Sequence, residues 1–246
     1  MTTLLFDIGN TRCKWAVWED GIRDTGVIDN DTMQDAAHWA FADNAEAAYA
    51  CSVASPARIE TVREVLSDTG IDLQVATTEH ESAGVRCAYP DPSRLGVDRW
   101  MAVLAASRLR PKPVLVVDAG TALTIDAVDS DGQHAGGFII PGIDMMQLAL
   151  TTRTAQIRID APDEINEAFG TSTSEAVRNG ALLAAAGACE RAAKWLAILT
   201  DSDADAMTMA FTGGNGQMLA ESLDRAADFR ANFVLKGLAI YAGLAP

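Results

Sequence analysis

The stretch TTLLFDIGNTRCKWAVWEDG (residues 2–21) returns without a gap 111 residues later as PVLVVDAGTALTIDAVDSDG (residues 113–132). Leu4 falls on Leu115, Asp7 on Asp118 and Gly9 on Gly120. Ala16-Val17 falls on Ala127-Val128, and Asp20-Gly21 on Asp131-Gly132, so seven of twenty positions coincide. Several mismatches exchange one apolar residue for another. Each copy begins with an apolar run (Leu4–Phe6; Val114–Val117) that reads as a buried strand. An Asp-x-Gly tight turn follows. A second strand is expected next (Lys14–Trp18; Leu123–Val128), closed by an Asp-Gly turn typical of hairpins. Such a unit brings one carboxylate and several exposed backbone N–H groups to the end of a strand. Duplicated, the two turns are expected to face each other across a cleft.

Outward from these copies, strand and helix patterns alternate. Helical patterns cover Thr32–Asn44, Ala57–Thr69, Val97–Leu109, Pro141–Thr152, Ser174–Thr200 and Leu235–Leu244. Strand patterns cover Ala47–Val53, Leu73–Thr77, Ala135–Ile140 and Ala206–Phe211, and Arg153–Gly170 reads as irregular. Mixed elements in two similar halves predict an α/β architecture. Pro111 and Pro113 punctuate the chain between the copies. The expected domains are therefore residues 1–111 and 112–246.

The chain has 246 residues, 49% of them hydrophobic and 22% charged, a composition able to bury a sizeable core. Its net charge is −15, and neither half is basic. That leaves no electrostatic footprint for nucleic acid and disfavours an anionic membrane surface. Asp7 interrupts the first apolar run too early for a signal peptide. Cys13, Cys51, Cys87 and Cys189 lie far apart with no C-x-x-C, which reads as reduced thiols in a cytoplasmic protein. Walker-type phosphate loops, G-x-S-x-G and H-E-x-x-H are absent.

Five short segments could carry chemistry. In Asp7-Ile8-Gly9-Asn10-Thr11-Arg12-Cys13-Lys14, Gly9 permits close backbone approach, and Asn10 and Thr11 add donors. Lys14 could meet a phosphate as a point charge. Asp7 would repel a bare phosphate, so it suits one bridged by a divalent cation such as Mg2+. The turn Asp118-Ala119-Gly120-Thr121 offers the same geometry with fewer polar groups. Gly96-Val97-Asp98-Arg99 opens a helix, where an aspartate is favoured by the helix dipole alone. Functionally, Asp98 would serve as a base and Arg99 as a carboxylate clamp. Ser172-x-x-Glu175 forms a capping box next to Thr173. Finally, Thr212-Gly213-Gly214 is a glycine loop between a strand and a helix.

The Asp7–Thr11 turn, the Asp118–Thr121 turn and the Thr212–Gly214 loop together resemble the two phosphate motifs and the adenosine motif of the acetate/sugar kinase–Hsp70–actin superfamily. Within it, Gly96-Val97-Asp98-Arg99 resembles the type III pantothenate kinases. So do Tyr89-Pro90, the GFIIPG stretch (137–142), Gly170-x-x-Thr173 and Leu235-Lys236-Gly237-Leu238. The resemblance implies two duplicated ribonuclease H-like, actin-like ATPase domains. It implies ATP-dependent phosphorylation of pantothenate, the first step of coenzyme A synthesis. Asp98 would be the catalytic base. Tyr89, Gly96, Val97, Asp98 and Arg99 would bind pantothenate, with Thr173 reaching it from the partner subunit of a homodimer. Asp7, Ile8, Gly9, Asn10, Thr11, Arg12, Cys13, Lys14 and Thr121 would hold ATP, with Asp7 linked to it through Mg2+. Asp118 would match a position for a monovalent cation, K+ or NH4+. Two alternatives stay open: a kinase of the same superfamily for another small molecule, and a nucleotide-binding regulator without catalysis.

Overall fold

A computed structural model describes residues 1–35, 39, 45–67, 69–108, 113–153, 168–204 and 207–245. The chain divides into two compact units. The first comprises Met1–Ala105 together with Phe233–Pro246, and the second Ala106–Asn232.

The first unit is built on β1 (Thr3–Ile8), β2 (Arg12–Trp18), β3 (Ile22–Asp29), β4 (Ala47–Ser52) and β5 (Leu73–Val75), in the order β3-β2-β1-β4-β5. β1, β2 and β3 pair antiparallel, whereas β4 and β5 extend the sheet in parallel. Asp20 (φ 56°) supplies the left-handed backbone that turns β2 into β3. The strand predicted at Lys14–Trp18 thus begins two residues earlier, and β3 is a strand the periodicity left unassigned. Its pattern is mostly exposed, which removes the apolar alternation that marks a strand. Helix α1 (Pro56–Ser67) connects β4 to β5. A small hairpin, β6 (Glu81–Ser82) with β7 (Val85–Arg86), precedes α2 (Val97–Ser107). Trp100, Met101 and Leu104 of α2 are fully buried.

The second unit repeats this plan. Its strands are β8 (Val114–Ala119), β9 (Ala122–Val128), β10 (His134–Pro141), β11 (Thr208–Thr212) and β12 (Asp228–Phe229), ordered β10-β9-β8-β11-β12. Three antiparallel strands again lead into two parallel ones. β1 and β8 bury their residues in one identical pattern, with Asp7 and Asp118 the partly exposed position of each. Helices α3 (Ile143–Arg153) and α4 (Thr173–Thr200) come between β10 and β11, and α5 (Gly216–Glu221) between β11 and β12. α4 buries Leu182, Ala185, Cys189, Ala193 and Leu196 against Leu115, Val117, Met209 and Phe211 of the sheet. Much of this buried face is alanine, which lets the helix lie close to the strands while keeping high helix propensity.

Helix α6 (Phe233–Tyr241) returns to the first unit, where it packs on β1, β2 and β4. The division at 111/112 places this segment with the second half; its buried Leu235, Gly237 and Leu238 explain the difference. A Cβ at Gly237 would collide with the carbonyl of Met101 in α2, so the glycine of the Leu-Lys-Gly-Leu motif sets how closely the two helices approach. Of the predicted helix at Thr32–Asn44, Thr32–Gln34 form a turn and most of the remainder lies outside the described residues. Most of the irregular stretch at Arg153–Gly170 also lies outside them. Among the described residues no helix is long and apolar enough to cross a membrane.

Candidate active site

In the first unit the turn from β1 to β2 carries the charges. Asp7 stands opposite Lys14 in the antiparallel register and opposite Cys51 in the parallel one. Lys14 Nζ lies 3.9 Å from Asp7 Oδ2, with the lysine half exposed. A pair of that geometry is weak in water and free to re-form around an anion. Gly9 N–H donates to the Arg12 carbonyl at 3.0 Å, which closes the turn. Asn10, Thr11, Arg12 and Lys14 are exposed, while Ile8 and Cys13 are fully buried among core residues. The last two can therefore meet a ligand only through their backbone. Arg12 is engaged by Asp29 at 3.2 Å.

The segment Gly96-Val97-Asp98-Arg99 forms the start of α2, with the Gly96 carbonyl accepting the first helical bond from Trp100 N–H at 3.0 Å. Asp98 Oδ1 accepts from Arg99 N–H at 2.8 Å. A Cβ at Gly96 would stand 2.7 Å from the same oxygen, so glycine makes room for this carboxylate. Arg99 is buried, and its Nη1 donates to the Tyr89 hydroxyl at 3.4 Å. Beside Tyr89 is a hollow of about 350 Å3 lined by Tyr89, Pro90, Asp91 and Arg94.

Cys51 feels the charge of both segments. Its thiol points at Asp7 Oδ1 at 3.9 Å. Burial pushes the thiol well above its ordinary pKa, and the carboxylates of Asp7 and Asp98 push it further. It therefore stays a neutral thiol that donates toward Asp7. Burial first, then Asp7, raises Cys13 as well, to about 12. Asp7, Lys14, Asp98, Arg99 and Tyr89 all belong to this first unit. The sequence carried no local signal for Cys51, because it sits in a short, mostly apolar stretch that reads as an ordinary strand.

In the second unit three glycine-bearing motifs converge on the Asp118–Thr121 turn. Gly120 N–H donates to the Ala122 carbonyl at 3.0 Å, as Gly9 does to Arg12. Gly142, last residue of GFIIPG, donates to the Thr121 carbonyl at 3.0 Å, and a Cβ there would overlap the Gly120 carbonyl oxygen. Gly213 has φ 89°, and a Cβ on it would strike Asp118 Oδ1 and stand 2.6 Å from the Ala119 carbonyl carbon. Asn215 N–H caps the Ala119 carbonyl at 3.0 Å, and its side chain donates to Asp144 at 3.1 Å. Thr121 is exposed at the turn.

At the start of α4 the capping box is complete, with Ser172 Oγ accepting from Glu175 N–H at 3.1 Å. Glu175 accepts in return from the Thr171 and Ser172 backbones. These donors, Thr171 first, hold its carboxyl below the usual range. Gly170 fits against this first turn, where a Cβ would stand 2.7 Å from the Glu175 carbonyl carbon. Thr173 is exposed at the first position of the helix.

Comparison with known proteins adds two findings. Residues 3–194 match the family model for type III pantothenate kinase. The type III pantothenate kinase of Pseudoalteromonas translucida (strain TAC 125) is 33% identical over 239 residues, 96% of this chain and 94% of that protein. The one from Ectopseudomonas mendocina (strain ymp) is 35% identical over 250 residues, 96% of this chain and 97% of that protein. Among solved structures, a putative 2-dehydro-3-deoxygalactonokinase from Sinorhizobium meliloti superposes with a TM-score of 0.59 at 13% identity, over 98% of both chains. A conserved putative Baf family transcriptional activator from Campylobacter jejuni gives 0.57 at 23% identity, covering 95% of this chain and 94% of that one. These structural likenesses speak for the fold, two ribonuclease H-like units of the actin-like ATPase and sugar kinase type.

Proposed function

The chain belongs to the type III pantothenate kinase family, and we infer that it transfers the γ-phosphoryl group of ATP to the primary hydroxyl of pantothenate, opening coenzyme A synthesis. One observation in the structure supports this best. An acid at the start of a helix, Asp98, and a turn fit for phosphate, Asp7–Lys14, belong to one unit, and the charges of both Asp7 and Asp98 raise the buried Cys51 thiol.

The hydroxyl oxygen of pantothenate attacks the γ-phosphorus, its bond to the ADP oxygen breaks, and Asp98 accepts the hydroxyl proton. Phosphoryl transfer needs placement and charge neutralisation more than covalent help. An aspartate base at this point contributes on the order of 10²–10⁴-fold. Arg99 clamps the pantothenate carboxylate, and Tyr89 orients that guanidinium through their shared hydrogen bond. Gly96 and Val97 shape the approach to Asp98. The turn N–H groups of Asn10, Thr11 and Arg12, the Asn10 and Thr11 side chains and Lys14 take the ATP phosphates; Thr121, exposed at the equivalent turn of the second unit, offers a hydroxyl donor of the same kind.

Asp7 fits a Mg2+ ion bound chiefly by phosphate oxygens, being one carboxylate with limited exposure beside a cation that can move aside. Mg2+ would supply charge neutralisation on the triphosphate. Asp118 is a hard oxygen donor at the end of β8, the kind of ligand that suits a monovalent cation, K+ or NH4+. The second unit also exposes large apolar side chains on α4 (Leu183, Trp195, Ile198, Leu199) and α3 (Leu148). Such a patch supports a homodimer, in which Thr173 serves the partner's pantothenate site. A fully active monomer in sedimentation would exclude that role. The enzyme reading is tested by Asp98→Asn, which should retain the fold and lose most turnover; near-normal kcat would remove Asp98 from the base role.

A further inference from the structure

Asn30, immediately after β3, is 5% exposed and stands under the Asp7–Lys14 turn. Its side-chain Nδ2 donates to two successive turn carbonyls, Gly9 at 3.0 Å and Asn10 at 2.8 Å. Its own N–H donates to the carbonyl of Thr11 at 3.1 Å. Three consecutive carbonyls are thereby drawn toward one residue. The Asn30 carbonyl in turn accepts from Arg58 Nη1 of α1 at 2.6 Å. The other end of the amide is peculiar: Oδ1 is buried and has no hydrogen-bond partner among the described residues. A buried acceptor without a donor is costly, and native proteins keep few of them. The amide could not recover by flipping, because Oδ1 would then face two carbonyl oxygens.

We propose that Asn30 is a positioning residue for ATP: it holds the carbonyls of Gly9, Asn10 and Thr11 inward, so that the turn presents its N–H groups to the phosphates. The orphaned Oδ1 is the cost of that grip. A peptide unit whose oxygen is held on one side points its N–H to the other. A turn pinned this way is preorganised for an anion and loses little freedom when the anion arrives. Arg58 extends the brace to α1, so the turn is fixed from the body of the unit. The inference rests on the reading that this turn holds ATP phosphates.

The test compares Asn30→Leu, Lys14→Ala and the parent enzyme in steady-state kinetics with Mg-ATP and pantothenate varied separately, and in thermal unfolding. Leucine keeps the volume and removes both the donors and the orphaned acceptor. The expected result is a rise of about tenfold or more in KM for ATP. KM for pantothenate should change little, and Tm should stay close to that of the parent. A purely structural asparagine would instead lower Tm and leave KM for ATP alone. If Lys14→Ala raises KM for ATP while Asn30→Leu does not, the positioning role is overturned and the kinase reading survives. If neither variant changes KM for ATP, the turn is not the phosphate site and both readings fall. Should Asn30→Leu not fold, Asn30→Ala is read in the same way. Failure of both to fold would make the residue structural and overturn the proposal.

Discussion

The turn after β1 is held from below by a side chain, whereas the turn after β8 is held from the side by backbone. In the first unit Asn30 grips two carbonyls, and the cross-strand partner of the aspartate is Lys14. In the second unit Gly142 and Gly213 press directly on the turn, and the aspartate's partner is Thr124. Strand order, register and the burial pattern of the first strand are the same in both. A duplicated scaffold has therefore kept its backbone and divided its chemistry. The first unit carries the lysine, the helix-borne acid and the buried arginine. The second offers a hydroxyl, a carboxylate and close-packed glycines.

That division can be broken most sharply at Asp98. Asp98→Asn is expected to lower kcat by about 10²–10⁴-fold, with circular dichroism and Tm little changed. Asp118→Asn in the other unit should cost clearly less in kcat, and equal losses would end the claim that the chemistry is concentrated in the first unit. Next in size is Lys14→Ala. Losing a charged contact to phosphate, typically about 1.5–3 kcal/mol, should raise KM for ATP roughly 10- to 100-fold, read by initial rates.

The two braces predict opposite tolerance to a methyl group. Gly142→Ala would push a Cβ into the Gly120 carbonyl and to 2.6 Å from that of Thr121. It should cost about 1–3 kcal/mol of stability in a denaturant titration. Gly9→Ala meets only the Arg12 carbonyl at 3.2 Å and should cost clearly less. A reversed order would contradict the contrast between the braces.

The smallest effect belongs to Glu175. Its carboxyl titrates below its ordinary value of 4.5 because Thr171 and Ser172 donate to the ionised form. A depressed folded pKa contributes stability that is present above the unfolded value and lost as pH falls through the folded one. The Tm gap between the parent and Glu175→Ala should therefore be full near neutrality and begin to close once pH drops below that ordinary value. A gap independent of pH would assign the cap to geometry alone.

Much of this arrangement was legible in the sequence, because the repeat places the same strand-turn-strand code at one offset. Asp7, Gly9, Asp118 and Gly120 occupy equivalent turns for that reason. The capping box at Ser172 was legible because it depends on residues three apart. Contacts made by chain return were not legible. Nothing local assigns α6 to the first unit, since its partners on β1 and α2 lie more than 120 residues away. Asn30 belongs to none of the motifs the sequence offers, and only the packed structure shows which carbonyls it reaches. β3 escaped notice because an exposed edge strand lacks apolar alternation.

The most direct test is to incubate the purified chain with Mg-ATP and pantothenate, with and without K+ or NH4+, and to follow ADP release alongside the mass of the product. The account predicts 4'-phosphopantothenate formed in step with ADP, and strongly reduced formation by Asp98→Asn. Phosphorylation of some other acceptor in preference to pantothenate, or ligand binding with no transfer at all, would contradict it.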